Sequence, residues 1–410
     1  MSSRRRAIVI ILDSLGVGAL PDAADYGDVG TNTLQHVAQA VGGLILPTLQ
    51  SLGLGNITPT EGVLPIDHPL AACDKLVTFS QGKDTIAGHW ELMGLVSHRA
   101  FPAYPQGFPP EVTDAFVRLT GYGWLGNYPA SGTDIIAQLG AQHMATGKPI
   151  IYTSADSVFQ VAAHTDIIPL DELYRICQIT RDEILVGDHA CARVIARPFT
   201  GSEQAGFVRT ADRQDYALSP SAPTALNRLQ DAGIPSLCIG KIADIFNGQG
   251  IDTCWPTKSN AEGMTHLDHA LDTVVSGLIF ANLVDFDMLW GHRRDPQGYA
   301  KGLEEFDHWL ATFLPKLGDN DVLLITADHG CDPTHAGTDH TREYVPLLTY
   351  CNDPSFLGRY SESRLSAARN TKDKDLCKTA GKVTKNGHAH SLAKVATIIE
   401  EYLLQDAARD

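Results

Sequence analysis

Three apolar segments rich in β-branched residues, each followed by acidic side chains, constrain the fold of this chain more than any other feature. The segments are residues 7–12, 278–284 and 321–326. Continuous apolar runs of this length are typical of strands that are buried on both faces of a parallel sheet. In open α/β sheets, ligands bind outside the carboxyl ends of such strands. We therefore predict an α/β core whose functional groups lie at the ends of these three strands.

The polar side chains that follow these strands form a candidate ligand set for metal ions. The predicted ligands are Asp13, Asp287, His292, Asp328, His329 and His340. Buried carboxylates at strand ends require cations, because an unpaired charge is costly to bury. Carboxylates combined with imidazoles suit Mn²⁺ or Zn²⁺, and they exclude an all-oxygen Ca²⁺ site. We predict that these residues hold two divalent ions.

Several neighbouring residues compete for the same roles, and spacing alone does not separate them. The competitors are Asp285, Asp332, His335 and Asp339. If the strand continued through this region, alternation would place Asp285 and Asp287 on the same face. Asp339 and His340 are adjacent and would point apart, so only one of them is expected to be a ligand. Sequence spacing alone therefore does not decide which of these residues bind the metal ions.

Length and composition limit the class of protein. A chain of 410 residues predicts two domains, since single cores stop growing near about 250–300 residues. The net charge of −16 argues against nucleic acid as the main partner. The eight cysteines are scattered without a CxxC pair, which favours reduced thiols in a cytoplasmic enzyme. The basic start of the chain precedes an apolar run that is too short for a signal peptide, and no run approaches the about 20 apolar residues that span a bilayer.

Two segments rich in proline divide the chain. They are residues 101–110 and 218–223. We predict a discontinuous metal-binding catalytic core formed by residues 1–100 and 220–410, with an inserted cap domain at residues 101–219. Toward the C-terminus, residues 352–390 predict an exposed polar loop, and residues 391–404 predict a helix capped by Ser391.

Thr85 precedes a helix that is predicted for residues 86–94. A hydroxyl at a helix start faces unpaired backbone N–H groups, which favour phosphate at that position. The alternative is that Thr85 simply caps the helix. Gly16-Val17-Gly18 suggests a dinucleotide-binding loop, but the pattern argues against one because the further glycine is missing.

Three long motifs identify a family. Residues 83–91 (KDTIAGHWE), 285–295 (DFDMLWGHRRD) and 337–346 (GTDHTREYVP) closely resemble the phosphopentomutase family of the alkaline phosphatase superfamily. Further matches lie at residues 152–160, 193–199, 207–211 and 240–246. The resemblance runs from about residue 5 to about residue 350. It fades in residues 352–390, where this chain is longer and more polar than the family pattern.

The resemblance implies an alkaline-phosphatase-like α/β core sheet with helices on both faces, a smaller inserted α/β cap domain, and two Mn²⁺ ions, with Zn²⁺ or another divalent ion as a substitute. The implied ligands are Asp287, His292 and His340 for one ion, and Asp13, Asp328 and His329 for the other, with the Thr85 oxygen or its phosphate beside them. Asp285 and Asp339 are then structural.

The implied reaction interconverts α-D-ribose 1-phosphate and D-ribose 5-phosphate, or their 2-deoxy equivalents, through phosphorylated Thr85 and a bisphosphate intermediate. The partners are therefore small phosphorylated sugars. The candidate substrate-binding residues are Ser154, Asp156, Arg193, Arg209 and Lys241. Guanidinium groups suit phosphate because they bind its oxygens in pairs. Asp156 could instead cap a helix.

Two other hypotheses remain. The first is a metal-dependent phosphatase or a cofactor-independent phosphoglycerate-type mutase on the same core. An inserted cap favours a mutase over a phosphatase, because exclusion of water prevents loss of the phosphoryl group. The second is a non-catalytic metal-binding protein, against which the combination of Thr85 with the full ligand set argues.

Overall fold

The computed structural model describes residues 5–154, 157–357 and 390–404, and the chain divides into two compact units. Residues 1–100 and 220–410 form the first unit, and residues 101–219 form the second. Within the described residues, no helix is both long enough and apolar enough to cross a membrane.

The strands alternate with helices along much of the chain. The strands are β1 (Arg6–Leu12), β2 (Ala72–Leu76), β3 (Leu125–Pro129), β4 (Ile150–Thr153), β5 (Val158–His164), β6 (Arg193–Ser202), β7 (Gly206–Arg209), β8 (Gln214–Ala217), β9 (Ser236–Ile239), β10 (Thr253–Trp255), β11 (Gly277–Leu283), β12 (Asp321–Thr326) and β13 (Val345–Cys351). The α-helices are α1 (Thr33–Val41), α2 (Pro47–Leu52), α3 (Leu54–Ile57), α4 (Thr85–Leu92), α5 (Pro110–Thr120), α6 (Gly132–Thr146), α7 (Leu170–Ile179), α8 (Ala225–Asp231), α9 (Ile242–Ile245), α10 (Asn260–Thr273), α11 (Pro296–Phe313), α12 (Pro354–Leu357) and α13 (Lys394–Leu403). Short 3₁₀ or π-helical turns occupy Ala23–Tyr26, Thr180–Ile184, Gly187–His189, Phe286–Gly291 and Leu314–Lys316.

The first unit is built on a sheet of seven strands in the order β10-β9-β11-β1-β12-β13-β2. The central strand β1 pairs in parallel with β11 on one side and β12 on the other. Strand β13 lies between β12 and β2 and runs antiparallel to both. Strands β11 and β12 are buried along their whole length, so both faces of the sheet are covered. The predicted mixed α/β fold with three central parallel strands is confirmed.

The register of these strands sets the position of the candidate site. Leu12 is paired with Leu283 of β11, and Ile11 is paired with Thr326 of β12. The three strands therefore end at nearly the same level of the sheet. The chain segments that follow them emerge at one edge.

The second unit contains a six-stranded sheet in the order β3-β4-β5-β6-β7, with β8 paired to β6. Helices α5 and α7 cover one face, where Phe116 and Ile176 pack with Val194. Helix α6 covers the other face, where Ile136 packs with Tyr152. The second unit therefore has an α/β architecture, with a hydrophobic core on each face of its sheet.

Two predictions concern the C-terminal region: a helix capped by Ser391 and a polar loop at residues 352–390. The last helix begins at Lys394 and its N-cap is Ala393, so the prediction that Ser391 caps it is wrong. Ser391 instead forms an isolated parallel bridge with Val77. The predicted polar loop at 352–390 is helical at Pro354–Leu357, and residues 358–389 lie outside the described part of the chain.

Candidate metal centre

Asp13, Asp328 and His329 meet in the first unit at the ends of strands β1 and β12. All three are buried, and their exposed fractions are 3% or less. Nε2 of His329 lies 3.2 Å from Oδ2 of Asp328 and 3.5 Å from Oδ1 of Asp13. The backbone N–H of Ser14 donates a hydrogen bond of 3.1 Å to Oδ1 of Asp328, which fixes this carboxylate. The three side chains could hold one metal ion.

Asp287, His292 and His340 form a second group in the same unit. Asp287 and His292 lie on the helical turn after β11, and His340 lies on the loop before β13. Nε2 of His292 is 3.2 Å from Oδ2 of Asp287, and Nε2 of His340 is 3.3 Å from Oδ1. The two imidazole Nε2 atoms are 3.1 Å apart. His329 lies between the two groups, since its ring stacks on that of His340 with centroids 3.9 Å apart.

The hydrogen bonds of these side chains leave lone pairs to which a cation could bind. Nδ1 of His292 donates to the carbonyl of Thr338 at 2.6 Å, because a carbonyl only accepts. In the neutral ring, Nε2 of His292 therefore presents a lone pair to the carboxylate of Asp287, which is an acceptor as well. Oδ1 of Asp13, Oδ1 of Asp287 and Oδ2 of Asp328 are buried and lack a hydrogen-bond partner. Buried carboxylate oxygens that converge in this way are what a bound divalent ion satisfies.

The charged side chains of this centre shift one another's pKa values. Burial raises the pKa of Asp13 well above its usual range, and the charges of Asp328 and Asp287 add to this effect. Burial alone would lower the pKa of His329, but Asp328 and Asp13 raise it to about 10. Burial alone would raise the pKa of Asp287. The nearby His340 and His292 have the larger, opposite effect, so the pKa of Asp287 is lowered. This negative field attracts a proton or, in its place, a metal cation.

Thr85 lies beside the first group. Its hydroxyl oxygen is 3.1 Å from Nε2 of His329. Helix α4 begins at Thr85 itself, and the N-cap is Asp84, whose carboxylate accepts the N–H of Ala87 at 3.0 Å. The alternative that Thr85 is the cap is therefore wrong, as is the start of the helix one residue later. Because Asp84 caps the helix, the Thr85 hydroxyl is available to the centre.

A glycine allows α4 to approach the end of β12. A Cβ atom placed on Gly88 would lie 2.3 Å from the carbonyl oxygen of Asp328. Any side chain at this position would push the helix, and Thr85 with it, away from the ligands. Local sequence therefore sets the distance between the hydroxyl and the ligand groups.

The residues between which spacing could not choose lie in different local surroundings. The chain leaves the extended conformation after Leu283, so the alternation that would place Asp285 and Asp287 on one face does not apply. Asp285 instead accepts the N–H of Asn260 at 2.7 Å, at the start of α10. Asp339 points outward and lies 3.2 Å from Nζ of Lys83.

The other two competitors are also held away from the two groups. Asp332 accepts hydrogen bonds from Thr334 and from the backbone of Asn32. His335 lies against the carbonyl of Gly27 at 3.2 Å. These contacts of Asp332 and His335 hold the surrounding loops in place.

Sequence reasoning missed Asn282, which supports the first group. Asn282 donates from Nδ2 to Asp13 at 2.9 Å and also contacts Nε2 of His89 at 3.1 Å. His89 is fully buried, and its Nδ1 lies 3.0 Å from Oδ2 of Asp328. The signal for Asn282 was present, because it is the one amide within the apolar run at 278–284. Such a residue in a doubly buried strand requires polar partners.

Cys331 was also missed as a possible ligand. Its sulfur lies with Asp287 and His292 in a group whose potential ligand atoms are all within 4.8 Å of one another. Burial raises the pKa of this thiol, and the neighbouring Asp287 and Asp13 raise it further. In the free protein Cys331 is therefore a neutral thiol against the second group.

The predicted substrate-binding residues are spread over both units. Lys241 precedes α9 in the first unit, and its Nζ lies 3.9 Å from the sulfur of Met288. Ser154 follows β4, Arg193 begins β6 and Arg209 ends β7, all in the second unit. Arg193 is exposed and lies 3.8 Å from Asp215. Asp156 lies outside the described residues.

Comparison with known proteins identifies relatives along most of the chain. Residues 5–390 match the family model of the metalloenzyme superfamily. A phosphopentomutase of Caldanaerobacter subterraneus is 56% identical over 346 residues, which cover 84% of this chain and 87% of the relative. A phosphopentomutase of Symbiobacterium thermophilum is 54% identical over 85% of this chain and 89% of its own length.

The solved structures to which this chain is similar share much less sequence with it than these relatives do. A phosphoglycerate mutase of Leishmania mexicana has a TM-score of 0.44 and 14% identity, with 98% of this chain and 95% of that chain covered. A cofactor-independent phosphoglycerate mutase of Thermoplasma acidophilum has a TM-score of 0.38 and 11% identity, with 97% and 99% covered. Likeness at this level does not bear on activity.

Proposed function

The chain belongs to the phosphopentomutase family, within the metalloenzyme superfamily, and we propose that it interconverts α-D-ribose 1-phosphate and D-ribose 5-phosphate, with the 2-deoxy sugars as further substrates. The observation that carries this proposal is the position of the Thr85 hydroxyl, 3.1 Å from His329 and beside buried carboxylates. A hydroxyl in that position can accept and return a phosphoryl group.

We propose that the two groups of the metal centre hold two Mn²⁺ ions or similar divalent ions. Asp287, His292 and His340 would hold one, and Asp13, Asp328 and His329 the other. The buried oxygens without hydrogen-bond partners support this assignment. When bound, such ions neutralise phosphoryl charge and lower the pKa of a neighbouring hydroxyl. Asn282 orients Asp13 for this role by donating a hydrogen bond to it.

In the proposed cycle, phosphorylated Thr85 is the resting form. The bond between Thr85 Oγ1 and phosphorus breaks as the free hydroxyl of the sugar phosphate bonds to the same phosphorus, and the proton of that hydroxyl passes to Thr85 Oγ1. The product is a sugar bisphosphate and free Thr85. The bisphosphate then turns round and returns its other phosphoryl group to the Thr85 oxygen. Helix α4 holds this oxygen at its positive end, which stabilises the charge of the phosphoryl group.

The remaining assignments concern the sugar phosphate. We propose that Arg193, Arg209 and Lys241 bind the phosphate that is not transferred, because cationic side chains match its charge. We propose that Ser154 and Asp156 bind the sugar hydroxyls. These five roles rest on the family motifs in which the residues stand.

A comparison of two rates tests the proposal. The Mn²⁺-loaded chain is supplied with ribose 1-phosphate, and ribose 5-phosphate and inorganic phosphate are measured together. We expect isomerisation to exceed phosphate release by at least a hundred-fold. Phosphate release at the rate of isomerisation would favour a phosphatase, and turnover of phosphoglycerate alone would favour the phosphoglycerate-type mutase. No turnover of any of them would favour a non-catalytic metal-binding protein.

A further inference from the structure

A buried histidine on helix α4, His89, lies between the candidate nucleophile and a strand of the central sheet. Its side chain is fully buried. It belongs to the same unit as Thr85, Asn282 and Asp13. A buried polar side chain requires hydrogen-bond partners, so the groups that face its two ring nitrogens indicate its role. The phosphoryl transfer proposed above makes no use of this side chain.

Nδ1 of His89 faces the backbone of Thr85. It lies 2.9 Å from the carbonyl oxygen of Thr85, one helical turn earlier in the chain. Because a carbonyl oxygen only accepts, Nδ1 carries the ring proton and donates a hydrogen bond to Thr85. The same nitrogen lies 3.0 Å from Oδ2 of Asp328, which nonetheless has no hydrogen-bond partner. The Nδ1 proton therefore holds Thr85, and the Asp328 oxygen remains available to a cation.

Nε2 of His89 faces the side chain of Asn282 on β11. The distance from Nε2 to Nδ2 of Asn282 is 3.1 Å. With the ring proton on Nδ1, Nε2 has a lone pair and accepts a hydrogen bond from this amide. The amide group also donates to Oδ2 of Asp13, 2.9 Å away. Exchange of the amide oxygen and nitrogen would place the oxygen against a carboxylate, so Asp13 and His89 together fix the orientation of Asn282.

These contacts form one continuous chain of hydrogen bonds. It begins at the carbonyl of Thr85 and passes through the His89 ring. It continues through the Asn282 amide to the carboxylate of Asp13. Asn282 occupies Oδ2 of Asp13, and it leaves Oδ1, which is buried without a hydrogen-bond partner, for a cation. The two ends of the chain are thus the residue that carries the hydroxyl and a candidate metal ligand.

We propose that His89 is a positioning residue that couples the Thr85 backbone to Asp13 through Asn282. Through Nδ1 it fixes the first turn of α4, and with it the Thr85 hydroxyl. Through Nε2 it fixes the amide that orients Asp13. Partners of this kind are typically worth about 10–100-fold in metal affinity or activity. The part of the inference that concerns phosphoryl transfer rests on the proposed function, whereas the part that concerns metal binding does not.

Two substitutions separate the roles of the ring nitrogens. The amide of asparagine can take the place of Nδ1, and the amide of the longer glutamine can take the place of Nε2. His89→Asn therefore keeps a donor for the Thr85 carbonyl and removes the acceptor for Asn282. His89→Gln keeps the acceptor and removes the donor. His68→Gln, at an exposed position in the same unit, is the matched control.

Calorimetric titration of the metal-free full chain with Mn²⁺ and initial rates with ribose 1-phosphate at saturating Mn²⁺ measure the two roles. For His89→Asn we expect one of the two Mn²⁺ affinities to fall about ten-fold or more. For His89→Gln we expect both Mn²⁺ affinities to stay within a few-fold, while kcat falls about ten- to a hundred-fold and KM changes little. His68→Gln should match the wild type in every measurement. Equal losses of Mn²⁺ affinity in the two His89 variants, or wild-type behaviour of both, would overturn the inference.

A double-mutant cycle separates coupling through Asn282 from a general effect on the fold. If His89 acts on the metal through Asn282, His89→Asn should not weaken Mn²⁺ binding further in the Asn282→Ala protein. Losses that add would contradict the coupling. Melting temperatures identify any variant that fails to fold. Should His89→Asn be such a variant, His89→Gln decides, since a lowered kcat with unchanged Mn²⁺ affinities supports the proposal and an unchanged kcat contradicts it.

Failure of this inference and failure of the proposed function give different results. If the Mn²⁺ affinities respond as expected but the wild-type chain does not isomerise ribose 1-phosphate, the proposed function fails and the role of His89 in metal binding stands. If the wild-type chain isomerises the sugar phosphate and both His89 variants match it in metal affinity and kcat, the proposed function stands and the positioning role fails.

Discussion

The hydroxyl oxygen of Thr85 lies 3.1 Å from Nε2 of His329, although the two residues are 244 positions apart in the chain. The contact exists because α4 starts at Thr85 with Asp84 as its cap, and because His329 follows a strand that ends at the same edge as β1. It joins the candidate nucleophile to the candidate metal centre.

Removing the Thr85 hydroxyl should abolish phosphoryl transfer without emptying the metal centre. We expect Thr85→Ala to lower mutase activity by at least about a thousand-fold, because the atom that carries the phosphoryl group is lost. Mn²⁺ binding, followed by calorimetry, should stay within a few-fold of the wild type. Thr265→Ala removes an exposed hydroxyl on α10 and serves as the control. Near-normal mutase activity in Thr85→Ala would discard the phosphothreonine mechanism.

Adding one methyl group to Gly88 should displace the hydroxyl. The new Cβ would meet the Asp328 carbonyl at 2.3 Å, so α4 must shift. Overpacking of this kind costs about 1–3 kcal/mol, and a displacement of about 1 Å at a reacting group can cost about a hundred-fold in rate. Denaturant unfolding and initial rates measure the two effects. Gly318→Ala, whose Cβ meets only Asp321 at 3.6 Å, should match the wild type, and equal behaviour of both variants would refute this account.

Asn282 should matter for metal affinity although it is not a proposed ligand. It donates to Asp13 at 2.9 Å, and without it this carboxylate loses the hydrogen bond that orients it. Loss of such a partner typically costs about 10–100-fold in metal affinity, which is the effect we expect for Asn282→Ala. Asn56→Ala, which removes an amide on the surface, is the control. Unchanged Mn²⁺ affinity in Asn282→Ala would show that Asp13 needs no orienting partner.

His143 should make the stability of the second unit depend on pH. Its Nδ1 donates to the carbonyl of Lys148 at 2.7 Å, and its Nε2 accepts the N–H of His164 at 2.8 Å, so the ring is neutral. Burial lowers its pKa below the ordinary 6.5. A lowered pKa gives stability that is complete above about pH 6.5 and is lost as pH falls through the folded-state value, by at most about 1.4 kcal/mol per pH unit.

Denaturant unfolding between pH 7.5 and pH 5 measures this dependence. The glutamine in His143→Gln cannot be protonated, so this variant should lose part of the decline in unfolding free energy. His98→Gln, at an exposed position, should retain all of it. Identical pH profiles for His143→Gln and the wild type would assign the decline to other groups.

The parts of the fold that sequence predicts are those set by local pattern. The apolar runs that became β1, β11 and β12 predict buried strands wherever they occur, and the acidic residues after them predict a ligand site. The choice between Asp285 and Asp287 is not local. It depends on the chain turning helical after Leu283, where strand alternation no longer holds.

Other features depend on contacts between distant segments. The surroundings of the Tyr152 hydroxyl, which lies near Gly132 and the side chain of Arg209, are set by sheet pairing and by the packing of α6. Sequence places both arginines in family motifs, Arg197 at residues 193–199 and Arg209 at residues 207–211. By contrast, the role of Asn282 could have been predicted, since a polar side chain in an apolar strand requires a buried partner.

Diffraction from crystals grown with Mn²⁺, at the anomalous edge of manganese, tests the central claim most directly. We expect two anomalous peaks in each chain, one bound by Asp287, His292 and His340 and the other by Asp13, Asp328 and His329, with the Thr85 oxygen or its phosphate beside them. Peaks located elsewhere, or a Thr85 oxygen remote from both ions, would contradict the account.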